Sequence, residues 1–293
     1  MTAVFPTRAA AIAGHAVQAL VDEAMLTPKP GLVDLRGRGA HADLSWPLMC
    51  ASACVLGPYF ERMAQAGAAL AADGPALRRR IGAIGRAAEA AMMAATGGVN
   101  THRGAIWALG LLATAAGGAG SDGLDAGAVA ARAGALARID DPDAPVVTGN
   151  KGERARIEHG VGGARGQAQA GFPQVTAHAL PMLRLSRARG DAEAHARVNA
   201  LLAVMARLDD TCLLARGGKP ALLATQRGAR RVLAAGGMGT PIGRRLLGEL
   251  EARMGARRVS PGGAADLLAA ALLLDRLERL VLPRREQTTM ETE

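Results

Sequence analysis

The sequence predicts an all-α protein: a single compact domain of roughly ten helices over residues 1–282, joined by Gly-rich functional loops and followed by a disordered tail at 283–293. Three observations lead there. Aromatic residues make up 2% of the chain, while Ala, Leu, Gly and Arg dominate, and no run alternates Val, Ile, Thr, Tyr or Phe as a strand would. Apolar residues instead return at helical spacing, and Pro and Gly separate the segments in which they do so. A chain of 293 residues that is 49% hydrophobic can bury one sizeable core, and no stretch reads as a long linker.

The first helix is expected from Arg8 to Leu26, with Ile12, Ala16, Leu20 and Met25 near one face. Pro28 and Pro30 then forbid helix in a loop that runs to Asp43. Further helices are expected over 44–60, over 75–95 with Pro75 in its first turn, and over 102–115 with Thr101 as cap. Gly97-Gly98 and Gly117–Gly120 supply the breaks on either side of that last helix. After a helix at 124–139, residues 140–153 read as a polar loop and 160–171 as a glycine-rich one. The remaining helices are expected over 174–189, 192–214, 220–235, 241–254 and 263–282.

A net charge of +9 suits anionic partners. No basic stretch is interleaved with aromatics, so a small polyphosphate fits better than nucleic acid. Cys50, Cys54 and Cys212 do not form a disulfide framework and fit a reducing compartment. The N-terminus lacks the basic and apolar regions of a signal peptide, and no apolar run reaches the ~18 residues of a membrane span. A cytoplasmic location is therefore expected.

Two phosphate-binding motifs fail on inspection. Gly37-Arg38-Gly39-Ala40-His41-Ala42 fits a relaxed dinucleotide fingerprint but lacks the strand–helix unit that makes the fingerprint work. Gly218-Lys219 resembles the end of a P-loop, but Pro220 stands where a hydroxyl would hold magnesium.

Five other segments combine glycines with charge: Thr27–Asp43 (TPKPGLVD, then GAHAD), Gly98–Gly104 (GVNTHRG), Gly162–Pro173 (GGARGQ, then GFP), Asp209–Gly218 (DDT, then ARGG) and Ser260–Asp266 (SPGGAAD). Glycines let backbone N–H groups wrap an anion. Lys29, Arg103, Arg165 and Arg216 can pair with phosphate oxygens, and three of the segments run into helix N-termini that favour phosphate. Asp34, Asp43, Asp209, Asp210 and Asp266 are hard oxygen ligands suited to Mg²⁺. Taken singly, each segment reads as an ordinary turn or cap; five together describe a nucleoside-triphosphate–magnesium site built from helix ends. Asp209 and Asp210 lie about 100° apart on a helix. One is expected to meet the metal and the other to fix an Arg or a helix end, unless the helix is locally irregular there.

On these residues the chain resembles the triphosphoribosyl-dephospho-CoA synthase family, with matching segments spread from about residue 23 to 275. Cys212 departs from the Asn expected after DDT in many members, and Arg36–His41 looks like the branch that serves malonate decarboxylase rather than citrate lyase. The resemblance implies that the 2′-hydroxyl of 3′-dephospho-CoA attacks the anomeric carbon of ATP's ribose and adenine leaves, with Mg²⁺ as cofactor. It implies catalytic carboxylates among Asp209, Asp210, Asp34 and Glu153, and metal ligands among Asp34, Asp209, Asp210 and Asp266. Lys29, Arg103, Arg165 and Arg216 would hold phosphates, with His41, Asp43, Asn100 and His102 positioning ribose or adenine. Thr101, Gly163, Gly217, Gly218, Ser260, Gly262 and Gly263 would complete the substrate contacts. The product would pass to a carrier-protein transferase, and a homodimer fits the picture. The rival readings are a magnesium-dependent ADP-ribosyl-hydrolase-like enzyme, with water as acceptor, and a non-enzymatic helical partner protein.

Overall fold

The computed structural model describes residues 6–120, 124–145 and 147–280. The tail expected at 283–293 lies outside them. Among the described residues there is no strand, only an isolated bridge between Asp34 and Gly37. Twelve α-helices follow in order: α1 (Arg8–Met25), α2 (Trp46–Ala69), α3 (Gly74–Ala95), α4 (Arg103–Gly117), α5 (Ala126–Arg138), α6 (Lys151–His159), α7 (Gly163–Gln169), α8 (Leu180–Ala188), α9 (Glu193–Met205), α10 (Thr211–Ala234), α11 (Pro241–Ala256) and α12 (Gly262–Leu277). A π-helical turn, Val175–Ala179, leads into α8, and a 3₁₀ turn, Gly237–Gly239, precedes α11.

Local chemistry fixes the starts. Thr7, Asp73, Asp125, Asn150 and Thr240 each accept a hydrogen bond from a backbone N–H in the first turn of the helix they precede. Pro sits in the first turn of α2, α3, α8 and α11, where its missing N–H costs nothing.

Two helices form the centre. Nearly every residue of α4 from Ala105 to Ala116 is buried, as is most of α12 from Ala264 to Leu277, so both are apolar all round. α4 packs on α2, α12 and α5, while α12 also meets α1 and α9. Each fully buried leucine here contributes roughly 1.5–3 kcal/mol. α2 and α4 touch backbone to backbone: a Cβ on Gly67 would lie 2.0 Å from the Thr114 carbonyl oxygen, and one on Gly117 would lie 2.0 Å from that of Ala64. Glycine at both positions sets the closeness of this crossing.

Three expectations need correction. The glycine-rich stretch around Gly162–Gly171 is not a loop; most of it is the short helix α7, preceded by α6. The helix expected over 192–214 is two helices, because Asp210 starts a new one by capping it. α2 runs to Ala69, nine residues past the expected end, and carries Pro58 inside it. α10 joins the DDT and ARGG segments in one element, broken at Gly218, whose φ of 62° and ψ of −167° only glycine adopts readily.

Candidate active site

Four of the five glycine-and-charge segments converge. The clearest junction joins α10 to α12. Asp210 accepts hydrogen bonds from Cys212 N (2.8 Å) and Leu213 N (3.4 Å) in its own helix and from Ala264 N (2.9 Å) in α12. It is 2% exposed. Burial pushes its carboxyl above the usual aspartate range, and these backbone N–H groups pull the other way. Gly262 and Gly263 leave room for this packing: a Cβ on Gly263 would lie 3.2 Å from the Asp210 carboxyl, and one on Gly262 would lie 3.0 Å from Cys212 Sγ.

Asp266, one turn into α12, reaches the start of α4. A Cβ on Gly104 would lie 2.0 Å from Asp266 Oδ2, so the carboxylate occupies space that any other residue at 104 would fill. Burial and the charges of Glu23 and Asp210 push the Asp266 carboxyl well up, against one hydrogen bond from the Ala105 N–H.

The first segment lines the same region. Lys29, expected to bind phosphate, is buried instead. Its ammonium donates to Glu23 Oε1 at 2.6 Å and to the Glu23 carbonyl. Asp34 is also committed: it accepts from Lys29 N, from Arg36 N and from the Arg36 guanidinium, which reaches on to Glu251. Burial opposes the Asp34 charge, but Arg36 and the backbone donors outweigh it and hold the carboxyl below its ordinary range.

His41 stands at the rim. Its Nε2 is 2.9 Å from Ser260 Oγ, and the exposed Arg216 guanidinium lies against the ring at 3.4–3.5 Å. Asp43 is 3.9 Å away on the solvent side. Burial, then Arg216, pushes the His41 ring down to about 4, so it is neutral at physiological pH.

His102 lies deeper, at the N-cap of α4 and 2% exposed. Its Nδ1 is 3.0 Å from Ser52 Oγ, which is 2.6 Å from Thr101 Oγ1. Among the described residues its buried Nε2 has no hydrogen-bond partner. Burial and the Lys29 charge bring it to about 4. Next to it, Arg103 pairs with Glu89 at 3.0 Å, and Asn100 Oδ1 accepts from Arg103 N.

The third segment stands at the edge. Gly163 lies against Thr211, since a Cβ there would be 3.4 Å from the Thr211 methyl. Arg165 is exposed and pairs with Asp140 at 2.9 Å. Glu153 closes a capping box: its carboxylate accepts from the Thr148 and Gly149 backbones and the Thr148 hydroxyl, while Asn150 accepts from Glu153 N. Asp209 is exposed and, unlike Asp210, makes no hydrogen bond among the described residues.

The sequence motifs pointed to neither Glu23 nor Ser52, and they placed Gly104 in the second segment without a role. Glu23 carried a signal, because it follows Ile12, Ala16, Ala19 and Leu20 on the buried face of α1. A carboxylate on such a face needs a cation, and Lys29 is six residues on. Among the described residues no three His, Cys, Asp or Glu side chains are arranged to hold a metal ion, so the four expected metal ligands are not one cluster. No helix there is long and apolar enough to cross a membrane.

Known proteins resemble the chain over nearly its whole length. The profile of the ATP:dephospho-CoA triphosphoribosyl transferase family matches residues 9–284. A protein of Stutzerimonas stutzeri named "Probable 2-(5''-triphosphoribosyl)-3'-dephosphocoenzyme-A synthase" is 55% identical over 272 residues, covering 93% of each chain. Proteins of the same name from Azotobacter vinelandii and Pseudomonas aeruginosa are 54% identical over 276 residues and 55% over 266, covering 94% of each chain in the first case and 91% of this chain and 90% of the relative in the second. No solved structure gives a significant match. The family profile spans residues 9–284 and these relatives are 54–55% identical over 91–94% of the chain, so the chain belongs to the ATP:dephospho-CoA triphosphoribosyl transferase family.

Proposed function

We propose that the chain transfers the 5-triphosphoribosyl group of ATP to the 2′-hydroxyl of 3′-dephospho-CoA and releases adenine. The observation that carries this reading is the junction of α4, α10 and α12, where the DDT, SPGGAAD and NTHRG segments meet around Asp210, Asp266 and His102. In this step the acceptor oxygen bonds to the anomeric carbon, the bond from that carbon to adenine breaks, and adenine leaves. The transition state is oxocarbenium-like, and the hydroxyl proton must go to a base.

Asp209 is the carboxylate for that proton, since Asp210 beside it is occupied by backbone N–H groups. Arg216 and Arg103 face phosphate. The neutral rings of His41 and His102 can hydrogen-bond ribose or adenine without adding charge near a developing cation. Mg²⁺ would be held at Asp266: the charges of Glu23 and Asp210 crowd Asp266, and magnesium takes one or two carboxylates and fills its shell with phosphate oxygens and water. When bound, it would neutralise and hold the triphosphate. The product would be the prosthetic-group precursor for a carrier subunit, passed to a carrier-protein transferase in the cytoplasm. The malonate decarboxylase branch is favoured over citrate lyase by Arg36–His41.

The test is adenine release from ATP and Mg²⁺, with and without dephospho-CoA. Adenine together with a heavier CoA derivative, only when acceptor is present, is the expected result. Adenine without acceptor would identify a hydrolase. Asp209→Asn should lower turnover by about a hundredfold or more while leaving the melting temperature unchanged; wild-type activity would remove Asp209 from the site.

A further inference from the structure

Behind the wall that carries Ser260 lies a second feature, used by none of the chemistry above. α10 and α11 diverge to leave a cleft of about 280 Å³. Arg227 and Arg231, one turn apart on α10, face Arg253 and Arg257, one turn apart at the end of α11. Arg253 pairs with Glu249 at 2.9 Å. Among the described residues the guanidiniums of Arg227, Arg231 and Arg257 have no ion pair or hydrogen bond, and all four arginines are exposed. Like charges so placed repel one another, and an anion between them removes the repulsion. The floor differs from the rim: Leu250, Met254 and Val259 are buried and apolar.

The cleft backs onto the site across a shared wall. Val259 lines it and is followed by Ser260, the partner of His41. The Val259 carbonyl lies 2.6 Å from where a Cβ of Gly31 would be, and its side chain lies 3.0 Å from where one of Gly217 would be. A ligand in the cleft and a ligand in the site are therefore separated by one layer of chain. Ligand pockets usually measure ~300–1,000 Å³, so this cleft is sized for part of a molecule whose remainder lies elsewhere.

We propose that this cleft is the subsite for the diphosphate of the acceptor and for the beginning of the uncharged arm attached to it. This rests on the reading that dephospho-CoA is the acceptor. A diphosphate matches arginines in facing pairs, since each guanidinium can hold two phosphate oxygens. The apolar floor distinguishes the acceptor from the donor: a triphosphate offers it nothing, whereas the acceptor's diphosphate leads into an amide-and-methyl chain. Arg216 and Arg103, on the other side of the Val259–Ser260 wall, remain for the triphosphate.

The experiment is calorimetric titration of wild type and of Arg227→Gln/Arg231→Gln with dephospho-CoA, with Mg·ATP, and with adenosine as an acceptor fragment lacking the diphosphate and the arm. Adenine release by wild type is measured alongside. The double variant should bind dephospho-CoA roughly tenfold or more weakly, with Mg·ATP and adenosine within about twofold of wild type. Arg227→Lys/Arg231→Lys should fall between the two, because it keeps the charge and loses the fork. Unchanged affinity for dephospho-CoA overturns the proposal. Weakened Mg·ATP with unaltered dephospho-CoA also overturns it, by giving the cleft to the donor. If the double variant loses dephospho-CoA affinity but wild type releases no adenine, the subsite stands and the proposed reaction falls. If dephospho-CoA does not bind wild type at all, both fall.

Discussion

Lys29 and Arg216 are both cations in glycine-rich segments, and both were expected to hold phosphate, yet they lie in opposite surroundings. Lys29 belongs to the floor of the site: it is 2% exposed, its ammonium is held by Glu23, and its charge acts on His102. Arg216 belongs to the rim, exposed and touching only His41. The floor, with Glu23, Lys29, Ser52, His102 and Asp210, is bonded to itself. The rim, with Asn100, Arg165, Asp209 and Arg216, is open. In this molecule the residues fixed most firmly are those least able to touch a triphosphate directly, and the floor shapes the site that the rim uses.

The largest effect should come from cutting the floor. Lys29→Met leaves Glu23 as an unpaired buried charge and should cost about 3–5 kcal/mol in urea unfolding, much of it recovered by adding Glu23→Leu. A loss below about 1 kcal/mol would mean that the pair is not buried as described. His102 comes next. Its folded value is about 4 and its unfolded value about 6.5, so the unfolded chain gains the proton first as pH falls. Stability contributed by the neutral ring is complete above pH 6.5 and is lost towards pH 4, on the order of 3 kcal/mol. The gap in unfolding free energy between wild type and His102→Asn should narrow over that window; a constant gap would show that the ring titrates normally.

Gly104→Ala should act on chemistry more than on stability. Alanine favours the helix, but its methyl would take the place of Asp266 Oδ2, and displacement of about 1 Å can cost about a hundredfold in turnover. Gly248→Ala, where a Cβ meets nothing within 4 Å, is the matched control. If the two variants are equally active, Asp266 is not part of the machinery. The smallest effect belongs to the rim. Arg165→Ala breaks an exposed pair with Asp140 and should change stability by roughly 0–1 kcal/mol, while raising KM for ATP. An unchanged KM would leave Arg165 outside the phosphate site.

The sequence showed the rim better than the floor, for a physical reason. Turns, caps and helix starts are set within a few residues, so the beginnings of α3 and α12 were legible from Pro75 and Gly262-Gly263, whereas Thr101, expected to cap α4, bonds Ser52 instead and His102 holds the N-cap position. The one aspartate of the DDT pair expected to fix a helix end does so, as Asp210. Burial is set by distant partners. Nothing near Lys29 in sequence shows that it is buried with its charge close to His102, and nothing near Gly104 shows that Asp266 will sit at its Cα. The break between α9 and α10 was hidden because Leu201, Val204, Leu208 and Cys212 keep helical spacing across it; only the capping bonds of Asp210 reveal it. α6 and α7 were hidden by composition, since glycines at 160, 162, 163, 166 and 171 read as loop while the first and last of them serve as turns around the helices.

Asp210 ties two helices through one carboxylate, the Cys212 amide in α10 and, 54 residues from Asp210 in sequence, the Ala264 amide in α12. Everything between them, including α11 and the arginine cleft, forms a closed loop whose neck is that side chain. The molecule cannot unclasp there and keep its site, nor build the site before the loop has closed. Completion of the fold and onset of chemical competence are in this respect a single event.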